Sequence, residues 1–255
     1  MPKSRRSLVG ALLAIAAILV GLVATPGSAS ATSKVIGGKK ATYAPWAVRM
    51  LVDGKPHCTG TAVSDQWIIS ADHCFSDAPD KPIKDARITY LVGSLDVRTA
   101  TEVKVVKGSR VADPQLGDIM MIKVEKMDVT PAKLSIARVR TGQQLKVVGW
   151  GATCTDRPEL KCQAKKLRQA TIRILDVRRN RTRCVGFAAP GSKSFCATKV
   201  KGEPAGGDSG APVMTIAPKG KERLAGIFFG SDRESMVGAE YVLPRLKWIR
   251  RTLKK

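Results

Sequence analysis

The sequence predicts an all-β protein, an antiparallel sandwich or barrel, and two observations carry that prediction. Short apolar or β-branched runs recur along the chain, and each is bounded by Gly, Pro, Asp or Ser instead of extending into a long helical period. The runs fall at 47–52, 67–69, 88–92, 103–106, 145–148, 171–174, 212–215 and 224–229. Only the C-terminal segment has helical spacing, with Pro244 available to a first turn and Leu246, Ile249 and Leu253 at three- and four-residue steps. The 255 residues suffice for one large β unit or two small domains. There is no internal repeat and no low-complexity linker, and a division is expected somewhere between residues 129 and 143.

The first 31 residues read as a secretory signal peptide. Lys3, Arg5 and Arg6 precede an apolar stretch, and the small-residue tripeptide Ala29-Ser30-Ala31 follows it. The apolar run is short for a bilayer span, so a secreted, extracellular protein is expected, with no membrane span once the signal is removed. Export places all six cysteines, Cys58, Cys74, Cys154, Cys162, Cys184 and Cys196, in an oxidising compartment. Three disulfides are expected; fifteen connectivities are open, although the cysteines fall into three local couples and short loops cost the least closure entropy. No pair has the C-x-x-C spacing of a zinc site, and no metal or cofactor is expected.

The chain carries a formal charge of +23. Removing Lys3, Arg5, Arg6 and Lys34 with the leader leaves 40 cationic against 21 anionic side chains, a net +19. Such a surface attracts anionic surfaces and polymers. The charges are scattered, and aromatics that could stack on bases are few, which argues against a specific nucleic-acid partner.

The strongest local signal for chemistry is Gly206-Gly207-Asp208-Ser209-Gly210-Ala211-Pro212. Glycines on both sides allow Ser209 to sit on a tight turn, with the backbone N–H groups of Gly207 and Ser209 directed at one point, where an oxyanion could be held. A serine hydroxyl needs a base, and the chain has two histidines beyond the leader, His57 and His73. His73 ends an apolar strand that runs into a small-residue turn, whereas His57 lies in a polar turn before a strand and reads as a surface residue; His73 is therefore the expected base. The base needs a carboxylate to fix its tautomer. Asp118 stands immediately before the apolar segment Ile119-Met120-Met121-Ile122 and supplies that group.

With these residues in order, the chain resembles the trypsin and chymotrypsin family of serine proteases. The His, Asp, Ser order matches that family and differs from subtilisin and the α/β-hydrolases. The separations, 45 residues from His73 to Asp118 and 91 from there to Ser209, are also similar, and Gly149-Trp150-Gly151 lies between the halves as it does in the family. The resemblance implies two six-stranded antiparallel β-barrels with a C-terminal α-helix, the active site in the cleft between them, and protein or peptide substrates. The implied organisation is signal peptide 1–31, propeptide 32–34, first barrel 35–137, and second barrel with the helix 138–255. It implies bridges Cys58–Cys74 and Cys184–Cys196, leaving Cys154 with Cys162. It also implies that cleavage between Lys34 and Val35 frees an amino group that pairs with Asp208, ordering the oxyanion hole and the pocket.

The family's pocket base lies six residues before the nucleophile, which is Glu203 here, and a carboxylate there favours Lys or Arg before the scissile bond. Glu203 is longer than the family's usual aspartate, which shifts preference toward lysine unless it folds aside onto Lys201. Phe228, Phe229 and Gly230 correspond loosely to the family's pocket wall, and Ala205 replaces a cysteine. The compact leader, short propeptide and missing bridges look more like a bacterial secreted member. The alternative reading is a catalytically silent cationic protein of the same fold that binds anionic glycans or envelopes.

Overall fold

The computed structural model describes residues 38–78 and 81–255, so the leader, Lys34 and Val35 lie outside the described residues. Among the described residues the twelve longest strands of the core build two sheets. The first contains β1 (Ala47–Val52), β2 (Lys55–Ala62), β3 (Trp67–Ser70), β4 (Ile88–Val92), β5 (Thr101–Lys104) and β6 (Met120–Lys123). The second contains β7 (Gln144–Gly149), β8 (Arg168–Ile174), β9 (Ser194–Lys201), β10 (Pro212–Thr215), β11 (Leu224–Ser231) and β12 (Met236–Tyr241). The one α-helix among the described residues, α1 (Leu246–Thr252), follows a 3-10 turn at Leu243–Arg245 that absorbs Pro244.

Every named pairing is antiparallel. The second sheet runs β8-β7-β10-β11-β12-β9 and closes by pairing β9 back onto β8, a complete six-stranded barrel. The first runs β5-β4-β1-β2-β3-β6. Its edges meet at one bridge, Val105 to Val124, with Val106 N–H donating to Lys123 O at 2.9 Å and Glu125 N–H to Lys104 O at 3.0 Å. The short strand Lys39–Lys40 leaves the first half of the chain to pair with β8. The chain crosses in the other direction at residues 132–133, where Ala132 N–H donates to Ala62 O and the next carbonyl, of Lys133, accepts from Leu224 N–H.

The two-residue period explains which strands were legible. β4 and β8 alternate buried with partly exposed residues, as a strand with one face on a core must. β1 is buried along its whole length because it has a core on each side. Val48 and Met50 fill the first barrel with Ile68, Phe75 and Tyr90. Trp46 and Ala47 belong instead to a cluster between the barrels, with Trp67, Met121, Trp150, Met214 and Trp248. Two strands were not expected. β9 buries only its first half, and β12 buries Gly238 and Glu240, so neither shows clean apolar alternation. Among the described residues no helix is long and apolar enough to cross a membrane.

Candidate active site

Pairing of β3 with β6 decides where the base and its carboxylate meet. Ser70 opposes Met120, so His73, three residues past Ser70, and Asp118, two before Met120, emerge at the same end of the ladder. His73 sits on the 3-10 turn Asp72–Phe75, which the Cys58–Cys74 disulfide ties to β2. Its Nδ1 lies 2.7 Å from Asp118 Oδ2, and its backbone N–H donates to Oδ1 at 2.9 Å. Burial opposes ionisation of Asp118. The hydrogen bond from His73, its charge, and the backbone N–H groups of His73 and Asp72 outweigh that penalty and hold the carboxyl below the ordinary carboxylate range. Glu240 contributes from β12, its Oε1 accepting from Asp118 N–H at 3.2 Å.

His57 is placed differently from the expectation of a surface turn. It lies within β2, half-buried, with Nε2 3.1 Å from Cys74 O, because the adjacent disulfide draws β2 against the His73 turn. Burial pushes its pKa down.

Ser209 occupies the turn before β10. Its carbonyl accepts from Thr59 N–H of β2 at 2.9 Å, and Gly210 N–H donates to Phe228 O at 2.7 Å, so both barrels hold the turn. A Cβ on Gly210 would overlap Ser70 Oγ and approach Ala71 N, which sets the neighbour of Ser209 directly against the strand leading to His73. Among the described residues no hydrogen bond joins His73 to Ser209. Gly207 adopts φ +92, a conformation that side-chain-bearing residues rarely take. The N–H groups of Gly207 and Ser209 donate to no acceptor among the described residues and remain free to receive a developing oxyanion.

Asp208 points away from this turn into the interior. Its Oδ1 accepts from Gly151 N–H at 2.7 Å and its Oδ2 from Ala205 N–H at 2.9 Å. A Cβ on Gly149 or Gly151 would overlap this carboxylate, which gives the Gly149-Trp150-Gly151 motif its physical reason. Burial raises the Asp208 pKa from 3.8 to about 6, with the two backbone donors and the Arg49 charge offsetting part of the rise.

A family model described as Trypsin matches residues 35–246. The chain belongs to the trypsin family. It is a trypsin-like serine endopeptidase, and its substrates are proteins or peptides. Rat serine protease 1 is 29% identical over 204 residues, covering 71% of this chain and 74% of the relative. Dog anionic trypsin is 28% identical over 228 residues, covering 79% and 82%. In fold, the solved structure of neuropsin, a serine protease of mouse brain, superposes with a TM-score of 0.67 at 21% identity, covering 85% of this chain and 98% of that one. These mammalian relatives lend no support to the expectation of a bacterial member.

In this trypsin-like chain the three disulfides are Cys58–Cys74, Cys154–Cys162 and Cys184–Cys196. A cleft of about 280 Å³ adjoins Ser209, with Ala205, Phe228, Gly230 and Ser231 in its wall. Of the expected pocket residues, Phe228 and Gly230 line this cleft, Glu203 does not, and Phe229 stacks on Phe187 with ring centroids 6.5 Å apart. Glu203 is 4% exposed and, contrary to the alternative of folding onto Lys201, pairs through Oε2 with Lys199 Nζ at 3.1 Å. Lys199 lies near the end of β9 and Glu203 just beyond it, four residues on. The cleft also holds an ion pair between Glu159 and Arg233 that sequence reasoning missed, since nothing local marks two residues so far apart as partners.

Proposed function

We propose that this trypsin-family protein is a secreted endopeptidase that hydrolyses peptide bonds through an acyl-enzyme on Ser209, after Lys or Arg, and is made as a zymogen opened between Lys34 and Val35. The observation that carries the catalytic assignment is the 2.7 Å contact from His73 Nδ1 to Asp118 Oδ2, beside a serine turn with two unused N–H donors. Asp118 holds the proton on Nδ1 and leaves Nε2 to take the Ser209 hydroxyl proton as Oγ attacks the carbonyl carbon. The carbonyl oxygen becomes an oxyanion against Gly207 and Ser209 N–H. The imidazolium then returns the proton to the leaving amine, and water repeats the sequence on the acyl-enzyme. In this reading the barrels divide near residues 137 and 138.

Support for basic specificity comes from Glu203, which lies behind the cleft wall paired with Lys199 through Oε2, and whose buried Oε1 has no hydrogen-bond partner among the described residues. A substrate cation would satisfy it. The test is hydrolysis of matched peptide amides bearing Lys, Arg, Phe or Ala before the scissile bond, by protein beginning at Val35, with and without a fluorophosphonate that caps Ser209. Cleavage after Lys and Arg that the reagent abolishes is the expected result. Cleavage after Phe alone would discard Glu203, and no cleavage at all would turn the assignment toward a cationic binding protein.

Support for zymogen activation comes from Asp208, a buried carboxylate that no cation reaches at ion-pair distance among the described residues. Burial disfavours its charged form, so its folded pKa is raised. The contribution is complete below pH 3.8 and is lost as pH rises toward about 6. The loss is about 3 kcal/mol. Urea unfolding across this window should show the uncleaved protein losing stability with rising pH relative to its Asp208→Asn variant. Protein beginning at Val35 should not show that loss, because the new ammonium pairs with the ionised carboxylate. Parallel curves for all three proteins would remove Asp208 from the activation scheme.

A further inference from the structure

β1 carries a buried arginine that the reaction does not itself require. Arg49 is 1% exposed, and burial lowers its pKa to about 10 against the opposing influence of Asp208. It makes no ion pair among the described residues. Its guanidinium instead reaches from the first barrel to the second and donates twice, from Nη1 to Gly207 O at 2.9 Å and from Nη2 to Gln163 Oε1 at 2.6 Å. The Gln163 amide then donates from Nε2 to Gly206 O at 3.0 Å and to Glu159 O at 2.8 Å. Two further donors converge on the same carbonyls, Ala152 N–H on Gly206 O at 2.9 Å and Thr59 Oγ1 on Gly207 O at 2.8 Å.

These contacts act on the two peptide planes that meet at Gly207. A trans peptide is planar with its C=O and N–H pointing in opposite directions, so holding the Gly206 carbonyl aims the Gly207 N–H the other way. Holding the Gly207 carbonyl fixes the following plane, and the φ and ψ of Gly207 are the only rotations between the two. Glycine in this conformation has many accessible alternatives, and nothing in its own chemistry selects one. We propose that Arg49 and Gln163 are positioning residues for the oxyanion hole, a cross-barrel clamp that fixes the direction of the Gly207 N–H. The proposal rests on the serine-protease reading of the same site and adds a determinant of its catalytic rate.

An interaction that serves only the transition state changes kcat and leaves KM in place. Gln163 is half-buried and follows the Cys154–Cys162 loop, so it is the position to vary. Gln163→Leu keeps the volume and removes all three side-chain hydrogen bonds. Gln163→Glu keeps an acceptor for Arg49 but replaces the donor to Gly206 O with a carboxylate oxygen. Complete loss of an oxyanion donor costs about 10²- to 10³-fold in kcat, so misdirection of one is expected to cost about 10- to 100-fold. Both variants should fall by that factor on the wild type's best peptide amide, with KM changed less than about twofold. Inhibition by the matching peptide aldehyde, whose hemiacetal carries the oxyanion, should weaken in parallel, and thermal unfolding should stay close to wild type. Folded variants with wild-type kcat, or a change confined to KM, would overturn the clamp and leave the protease assignment standing. A wild type that cleaves no peptide would fail the function and take the clamp with it.

Discussion

Asp118→Asn is expected to lower kcat about 10⁴-fold with little change in KM. The direction of the effect follows from the two contacts the carboxylate makes. Oδ1 accepts the His73 backbone N–H at 2.9 Å, and Oδ2 accepts from the ring at Nδ1 at 2.7 Å. An amide in place of the carboxylate has one oxygen and one NH2 group. The backbone N–H has no second state, so it keeps the oxygen and the NH2 faces Nδ1. Nδ1 must then accept, the ring proton moves to Nε2, and the nitrogen meant to deprotonate Ser209 arrives already protonated. Fold and substrate binding are left alone, which is why the loss falls on kcat. Steady-state kinetics on the best peptide amide, together with the rate of fluorophosphonate labelling of Ser209, reads both consequences. A variant within tenfold of wild type would show that Asp118 does not set the tautomer.

Arg245→Met is expected to destabilise the folded chain by about 3–5 kcal/mol, the cost of leaving buried charges without their partner. Arg245 lies just before α1 and is 1% exposed. Its Nε donates to Asp113 Oδ2 at 2.6 Å and its Nη2 to Glu240 Oε2 at 2.7 Å, while Nη1 holds the carbonyls of Lys193 and Tyr241 at 2.9 and 2.8 Å. Methionine fills the space and satisfies none of these acceptors, so two carboxylates remain in the interior. The consequence reaches the site, because Asp113 accepts from Gly117 N–H and Glu240 from Asp118 N–H. Urea unfolding at neutral pH measures the loss. Combining Asp113→Asn and Glu240→Gln with Arg245→Met should recover part of it, since uncharged groups cost less to bury. A single variant within 1 kcal/mol of wild type would mean that the network is not what secures the loop before Asp118.

The residues proposed for the reaction stood out in the sequence because each has a recognisable local setting and the three fall in one order along the chain. A serine between glycines, a histidine after an apolar strand and an aspartate before one are statements about neighbouring residues. The strands legible in advance were likewise those whose burial alternates along the chain, such as β4 and β8. For the disulfides, whose partners are 8 to 16 residues apart, spacing showed local couples and the family resemblance supplied the pairing.

What the tertiary structure alone decided is every interaction in which a polar group is tolerated only because a distant one meets it. Arg49 reads in sequence as an ordinary polar interruption of an apolar strand; its partner Gly207 lies 158 residues on, in the other barrel. Glu240 meets Asp118 across 122 residues, and Arg245 meets Asp113 across 132. The Gly149-Trp150-Gly151 motif could be seen but not explained until Asp208 was found filling the space beside both glycines. The physical reason is one of range. Side-chain periodicity and turn chemistry act between adjacent residues and are written along the chain, whereas desolvation of a charge is settled by whichever surface packs against it.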